Sequence, residues 1–315
     1  MPRCAADGAG DEPISSLAEA KRVGPREQAF GRAVKHRLKS NCVIPRHLGM
    51  TRGAVRCLLG LVMPRTLPNE KRNYLLIDVS NSFTKFAFAT KQRLGATERV
   101  ETARLNGASI DRVLRKGRVN HVVVSSVVPK KNTLIRQSAK GIRTLFVSAK
   151  CELGVGVDYP EPESIGADRL ANAAAVAALY GTPAIVVDFG TAVTFDVVSA
   201  EGSYIGGVIA PGLEVMTTYL YKRTALLPKL TLTEPRHAVG RSTKAAMMAG
   251  AIFGYRGLVK EILAKISAES FGRRRAQVVA TGGYAQLIAA RLPVIDAVRP
   301  HLTLEGLRII GNLNR

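Results

Sequence analysis

The chain has 315 residues, enough for two ordinary domains, because single hydrophobic cores stop growing below this size. With 46% hydrophobic and 22% charged residues it has the composition of a globular protein, and no stretch approaches the roughly 18 to 20 apolar residues that cross a bilayer, so a helical membrane protein is excluded. A formal net charge of +22 would attract nucleic acid or anionic surfaces, but no Lys/Arg run is interleaved with aromatics and Trp is absent, which argues against a dedicated nucleic-acid partner.

Residues 1–72 are rich in Arg, Pro and Gly and show no period of 2 or 3.6. Their one short apolar run is Val55 to Met63. They are expected to form a basic extension, disordered or non-native. Because Asp7, Asp11 and Glu12 come early and the apolar run comes late, they are not read as a targeting peptide. The four cysteines (Cys4, Cys42, Cys57, Cys151) form no C-x-x-C pair and the five histidines are scattered. Neither a disulfide framework nor a zinc site is indicated, and a reducing cytoplasm is the expected location.

From Asn73 the texture changes. Tyr74 to Val79 and Phe83 to Ala89 read as strands joined by the turn Ser80-Asn81-Ser82, and His121 to Val127 reads as a third strand. Ala167 to Tyr180, with its run of alanines, is a helix by propensity. The segment Leu75 to Thr84 (LLIDVSNSFT) is then echoed by Ile185 to Thr194 (IVVDFGTAVT). In both, an apolar strand ends in Asp, turns through small residues and enters a second strand. A repeat at a domain-sized interval implies duplicated lobes, here 73–183 and 184–315, facing each other across a cleft.

Asp78 and Asp188 at strand ends, each followed by a turn of small residues, suit phosphate chemistry. Backbone N–H groups can approach phosphate oxygens while a carboxylate holds a hydrated magnesium ion. Either alone would also suit an ordinary β-turn, and the repetition favours the phosphate reading. Asp168 stands at a helix start, where the dipole favours an ionised carboxylate, as a general base or as a plain helix cap. Beside it, Arg169 offers a planar fork to a carboxylate or phosphate, or is a lone surface arginine.

The paired strand-Asp-turn-strand units resemble the phosphate loops of the superfamily that contains acetate and sugar kinases, heat-shock chaperones and actin. Within it, Gly166-Ala167-Asp168-Arg169 followed by Leu170-Ala171-Asn172-Ala173 is similar to the signature of the type III pantothenate kinases. So are Ser125 to Pro129 with Asn132, Gly206 to Gly212, Thr224 to Pro228, Thr281-Gly282-Gly283 and Leu302 to Leu307. The resemblance covers about residues 73 to 310, in order, and is specific as a set.

It implies an α/β fold of two ribonuclease H-like lobes, the actin-like ATPase fold, with a nucleotide cleft between them. The implied activity is transfer of the ATP γ-phosphoryl group to pantothenate, using Mg2+ and a monovalent cation, K+ or NH4+, in a cytoplasmic homodimer. By the same resemblance Asp168 is the catalytic base, and Tyr159, Gly166, Ala167, Asp168, Arg169 and Thr243 bind pantothenate. Asp78, Val79, Ser80, Asn81, Ser82, Phe83, Thr84 and Lys85 form the first ATP loop, with Thr191, Gly282 and Gly283 also on ATP and Asp188 on the monovalent cation. Tyr159 as a packed ring and Thr243 as a helix N-cap are the structural alternatives. Where the family has Asp-x-Gly-Asn-Thr, this chain has Ser80 and Ser82 in place of the Gly and Thr. Ser82 keeps the hydroxyl, whereas Ser80 adds a side chain where Gly would tolerate positive φ or close phosphate approach. An ATP-binding regulator on the same fold is the alternative function, and it would have no need of a base at Asp168.

Overall fold

A computed structural model describes residues 74–315, all within one unit of the chain. The expectations for residues 1–72 therefore lie outside the described residues. The fully buried β1 (Tyr74–Val79) is central to the first sheet, which explains a run that is apolar but for Asp78. It pairs antiparallel with β2 (Phe83–Ala89), which in turn pairs antiparallel with β3 (Leu94–Glu101). On its other side it pairs parallel with β4 (His121–Ser126), and β4 pairs parallel with β5 (Arg143–Phe146). The order is β3-β2-β1-β4-β5. Helices α1 (Gly107–Leu114) and α2 (Asn132–Ser138) cover the outer face.

The second sheet repeats this order around β7 (Ala184–Phe189). β8 (Ala192–Val198) and β9 (Ser203–Pro211) lie antiparallel on one side, and β10 (Gln277–Thr281) and β11 (Ala297–Val298) lie parallel on the other. A sixth strand, β6 (Gly156–Val157), adds beyond β9. α5 (Thr243–Ser270) and α6 (Ala285–Ala289) pack on its outer face. The duplication read from the sequence is thus a duplication of strand order, and the two-lobed actin-like fold follows from it.

The lobes meet over a shared core. Tyr74 and Leu76 from β1, with Ala184 and Val186 from β7, pack against α3 (Ala167–Tyr180) and α7 (Leu302–Leu313). Side chains alternate along a strand, so the next residues of the same parity, Asp78 and Asp188, turn to this inner side as well. The crossing of α3 and α7 is close: a Cβ on Gly306 would lie 1.9 Å from the carbonyl oxygen of Ala171, so only glycine fits there.

Two elements cross the expected division at residues 183 and 184. β6 joins the second sheet, and α7 returns to the first, where Tyr74 Oη donates to Asn312 Oδ1 at 2.9 Å. The physical reason is the apolar face of α7 (Leu302, Leu304, Leu307, Ile310), which finds its cover on α3 and sheet 1.

Strand pairing also corrects the alignment of the two copies. Val79 pairs with Thr84, but Phe189 pairs with Val193, so the second loop is one residue shorter. Beyond the turn Ala87, opposite Leu76, corresponds to Asp196, opposite Val186. Ser82 likewise corresponds to Thr191, since each stands two residues before the paired strand position.

Candidate functional site

Three carboxylates converge from three elements: Asp78 at the end of β1, Asp188 at the end of β7 and Asp168 in the first turn of α3. Lys85, opposite Asp78 in register, brings its Nζ to 3.8 Å from Asp78 Oδ2. Burial pushes the Asp78 carboxyl up to about 6; Lys85 opposes the rise, and Asp168 and Asp188 add to it. Burial likewise raises Asp188, reinforced by Asp168 and opposed by Lys85 and by the Asn172 amide, whose Nδ2 donates to Asp188 Oδ2 at 3.4 Å. Asn172 is itself held by Thr303 of α7, whose Oγ1 donates to Asn172 Oδ1 at 2.9 Å. Asp168 is raised by burial, with the Arg169 N–H and guanidinium pulling the other way.

The start of α3 is built around Asp168. Gly166 is the N-cap residue, and a Cβ there would lie 2.6 Å from Asp168 Oδ1. That oxygen accepts the Arg169 N–H at 2.9 Å. Asp168 is therefore not the N-cap, and its carboxylate leans on the free N–H groups of the helix start. Arg169 turns toward the second sheet and donates from Nε to Asp196 Oδ1 at 2.7 Å. Its guanidinium carbon sits 5.6 Å from the centre of the Tyr204 ring, and Tyr159 meets that ring edge-on at 6.1 Å. Tyr159, Gly166, Asp168 and Arg169 thus line one connected region, whereas Ala167 is buried in the core. Thr243 is the exposed first residue of α5, and the cap there is Ser242, whose Oγ accepts the Ala245 N–H.

The turns of the two copies touch through Ser82 Oγ and Thr191 Oγ1. A third turn lies over the second: Gly282 has φ of +92°, and a Cβ there would come within 2.6 Å of Asp188 Oδ1 and of the Phe189 backbone. Gly283 beside it faces open space. Within the first loop Val79 faces the outer core, and Thr84 is buried against Thr102, their hydroxyls 3.0 Å apart. Both can reach a ligand only through the backbone. Asn81 and Phe83 are exposed, and the Arg99 guanidinium lies over the Phe83 ring. Ser80 Oγ bends back to the Asp78 carboxylate at 3.4 Å, so the hydroxyl found where the family has glycine turns onto its own aspartate.

Sequence reasoning missed Asp196 and Tyr204, and named Asn172 only within the family signature, without a role. A carboxylate inside the apolar strand β8 was the available signal for Asp196, which an ungapped repeat aligned with Phe86 instead of Ala87.

The fit of magnesium and ATP can be judged from charge. Asp78, Asp188 and Asp196 each feel the charge of Asp168, and Lys85 and Arg169 stand among them as cations. Among the described residues no three His, Cys, Asp or Glu lie close enough to hold a metal on their own. A magnesium ion that keeps waters and phosphate oxygens as its other ligands needs only one or two carboxylates from the protein.

Duplicated sheets with acidic strand ends facing a shared cleft define the class of actin-like ATP-dependent phosphotransferases and ATPases. A family model described as type III pantothenate kinase matches residues 74–265. The type III pantothenate kinase of Akkermansia muciniphila is 51% identical over 248 residues, covering 76% of this chain and 99% of that relative. That of Methylacidiphilum infernorum is 41% identical over 239 residues, covering 76% and 88%. This chain belongs to the type III pantothenate kinase family. Among solved structures, the ethanolamine utilization protein EutJ of Carboxydothermus hydrogenoformans is similar over 79% of this chain and 93% of its own, at 14% identity and a TM-score of 0.47.

Proposed function

We propose that this chain phosphorylates pantothenate with ATP to give 4′-phosphopantothenate, the first step of coenzyme A synthesis. The observation that carries the reading is Asp168, a half-buried carboxylate at the start of α3 within electrostatic reach of both strand-end aspartates and Lys85. A primary hydroxyl held beside Asp168 gives up its proton to that carboxylate as its oxygen bonds to the γ-phosphorus. The bond from that phosphorus to the β–γ bridging oxygen breaks, and ADP leaves. Burial raises the proton affinity of Asp168, which makes it a better proton acceptor than a free aspartate.

Asp78, Ser80, Ser82 and Lys85, with the backbone from Val79 to Thr84, cradle the phosphates together with Thr191. Gly282 and Gly283 let the backbone lie close to the adenosine. When bound, magnesium would supply charge neutralisation along the phosphates, and Asp78 is the residue that would hold it. The Asp188 carboxylate holds the monovalent cation. Arg169, Tyr159 and the Gly166–Arg169 backbone bind pantothenate.

The working form is a cytoplasmic homodimer, its lobes divided near residues 183 and 184 apart from β6 and α7, with Thr243 completing the pantothenate pocket. The run of exposed apolar side chains on α4 (Leu213–Arg223), namely Val215, Met216, Tyr219, Leu220 and Tyr221, supports a self-association face. Among the described residues no helix is long and apolar enough to cross a membrane.

The test is direct: incubation with ATP, magnesium, potassium or ammonium, and pantothenate should yield 4′-phosphopantothenate. ATP binding with no product would leave an ATP-binding regulator.

A further inference from the structure

We infer that Asp196 is a positioning residue that aims Arg169 at the acceptor substrate. The inference rests on the reading of Arg169 as a pantothenate contact. Asp196 has no exposed side-chain surface, so it cannot touch a substrate itself. Both of its carboxylate oxygens are engaged: Oδ1 accepts Arg169 Nε at 2.7 Å, and Oδ2 accepts Thr194 Oγ1 at 3.3 Å.

A guanidinium has five N–H bonds in a fixed plane, and fixing one edge fixes where the rest point. With Nε committed to Asp196, the two Nη groups find no hydrogen-bond acceptor among the described residues, and the side chain is 14% exposed. They are available to an acceptor oxygen of the substrate. Two neighbours complete the slot. Tyr204 lies beside the guanidinium, and a Cβ on Gly207 would fall 1.9 Å from the Phe195 carbonyl oxygen and 3.1 Å from Arg169 Nη2. Glycine at this position lets β9 pair with β8 and leaves room for the guanidinium. Ala87, which takes the place of Asp196 in the first copy, can hold no such partner. The positioning device therefore belongs to one lobe only.

A buried ion pair could equally tie α3 to β8 with no effect on substrate. Kinetics on the whole chain separate the two roles through a cycle of Asp196→Asn, Arg169→Ala and the double variant, with thermal melting of each. Asp196→Asn keeps the volume and an acceptor oxygen but removes the charge. It should raise the KM for pantothenate about tenfold, a common size for coupling within one hydrogen-bonded pair, with kcat and the KM for ATP little changed. In the Arg169→Ala background the same change should add nothing further to the pantothenate KM. If Asp196→Asn does not fold, Asp196→Glu, which keeps the charge and displaces it by one methylene, is read in the same cycle.

An unchanged pantothenate KM in the Asp196 variant, beside a raised one in Arg169→Ala, overturns the positioning role. So does an additive double variant. An unchanged pantothenate KM in Arg169→Ala instead overturns the reading of Arg169 on which the inference stands, and wild-type chain that makes no 4′-phosphopantothenate overturns the proposed function itself.

Discussion

Ser82 and Thr191, 109 residues apart, place their hydroxyl oxygens 2.9 Å from each other. They hold equivalent positions in the two copies of the strand-turn-strand unit, so the contact joins the tips of the two loops. If phosphates bind between these loops, each hydroxyl has a ligand role as well as this mutual bond. Ser82→Ala and Thr191→Ala should each raise the KM for ATP about fivefold, in line with a hydrogen bond worth about 1 kcal/mol. The double variant should show less than the sum of the two, because they share one contact. Steady-state kinetics with varied ATP measure both. Unchanged ATP dependence would separate these loops from the nucleotide.

Asp168→Asn should leave a folded protein, because Gly166 occupies the N-cap and an amide fits the same space. Loss of a positioned base typically costs on the order of 10² to 10⁴ in rate. The variant should still bind ATP, seen as a shift in melting temperature, while making 4′-phosphopantothenate at least roughly a hundredfold more slowly. Wild-type turnover would remove the chemistry from the start of α3.

Asp188→Asn should weaken turnover and blunt the response to potassium or ammonium, because the amide keeps the size but loses the charge that holds a cation. Turnover measured across a series of monovalent salts is the readout. A full cation response in this variant would place the cation elsewhere.

Asp78→Asn should stabilise the ligand-free protein at alkaline pH while weakening nucleotide binding. The folded state raises the Asp78 carboxyl from 3.8 to about 6, so it favours the protonated form. The contribution of Asp78 to stability is full below about 3.8, and it is lost as pH rises through about 6. Above that the ionised group costs on the order of 3 kcal/mol, taking 1.36 kcal/mol per pKa unit. The variant should melt several degrees above wild type at pH 8, with a gain that shrinks toward pH 5. Its further rise on adding magnesium and ATP should be smaller than that of wild type. A variant that melts lower at pH 8 would show that the pairing with Lys85 outweighs burial.

Much of this was legible in the sequence for local reasons. Tyr74 to Val79 and Ala184 to Phe189 are central strands, so their runs are apolar throughout except for Asp78 and Asp188, whose charges stand out at the cleft end. α3 is marked by its alanines, which the close crossing with α7 requires. The family motif from Gly166 to Arg169 falls at the start of that helix.

Strand pairing and lobe packing decided the rest. The second loop is shorter by one residue, so a constant offset between the copies fails just past the turn, and only hydrogen-bonded register shows that Asp196 stands where the first copy has Ala87. The closing of Asp196 onto Arg169, the meeting of Ser82 with Thr191 and the return of α7 to the first sheet all join segments far apart in the chain. Local propensity and periodicity act over a few residues and carry no information about which distant face will cover them. Burial against that face is what turns an aspartate in a strand into a fully enclosed partner for an arginine.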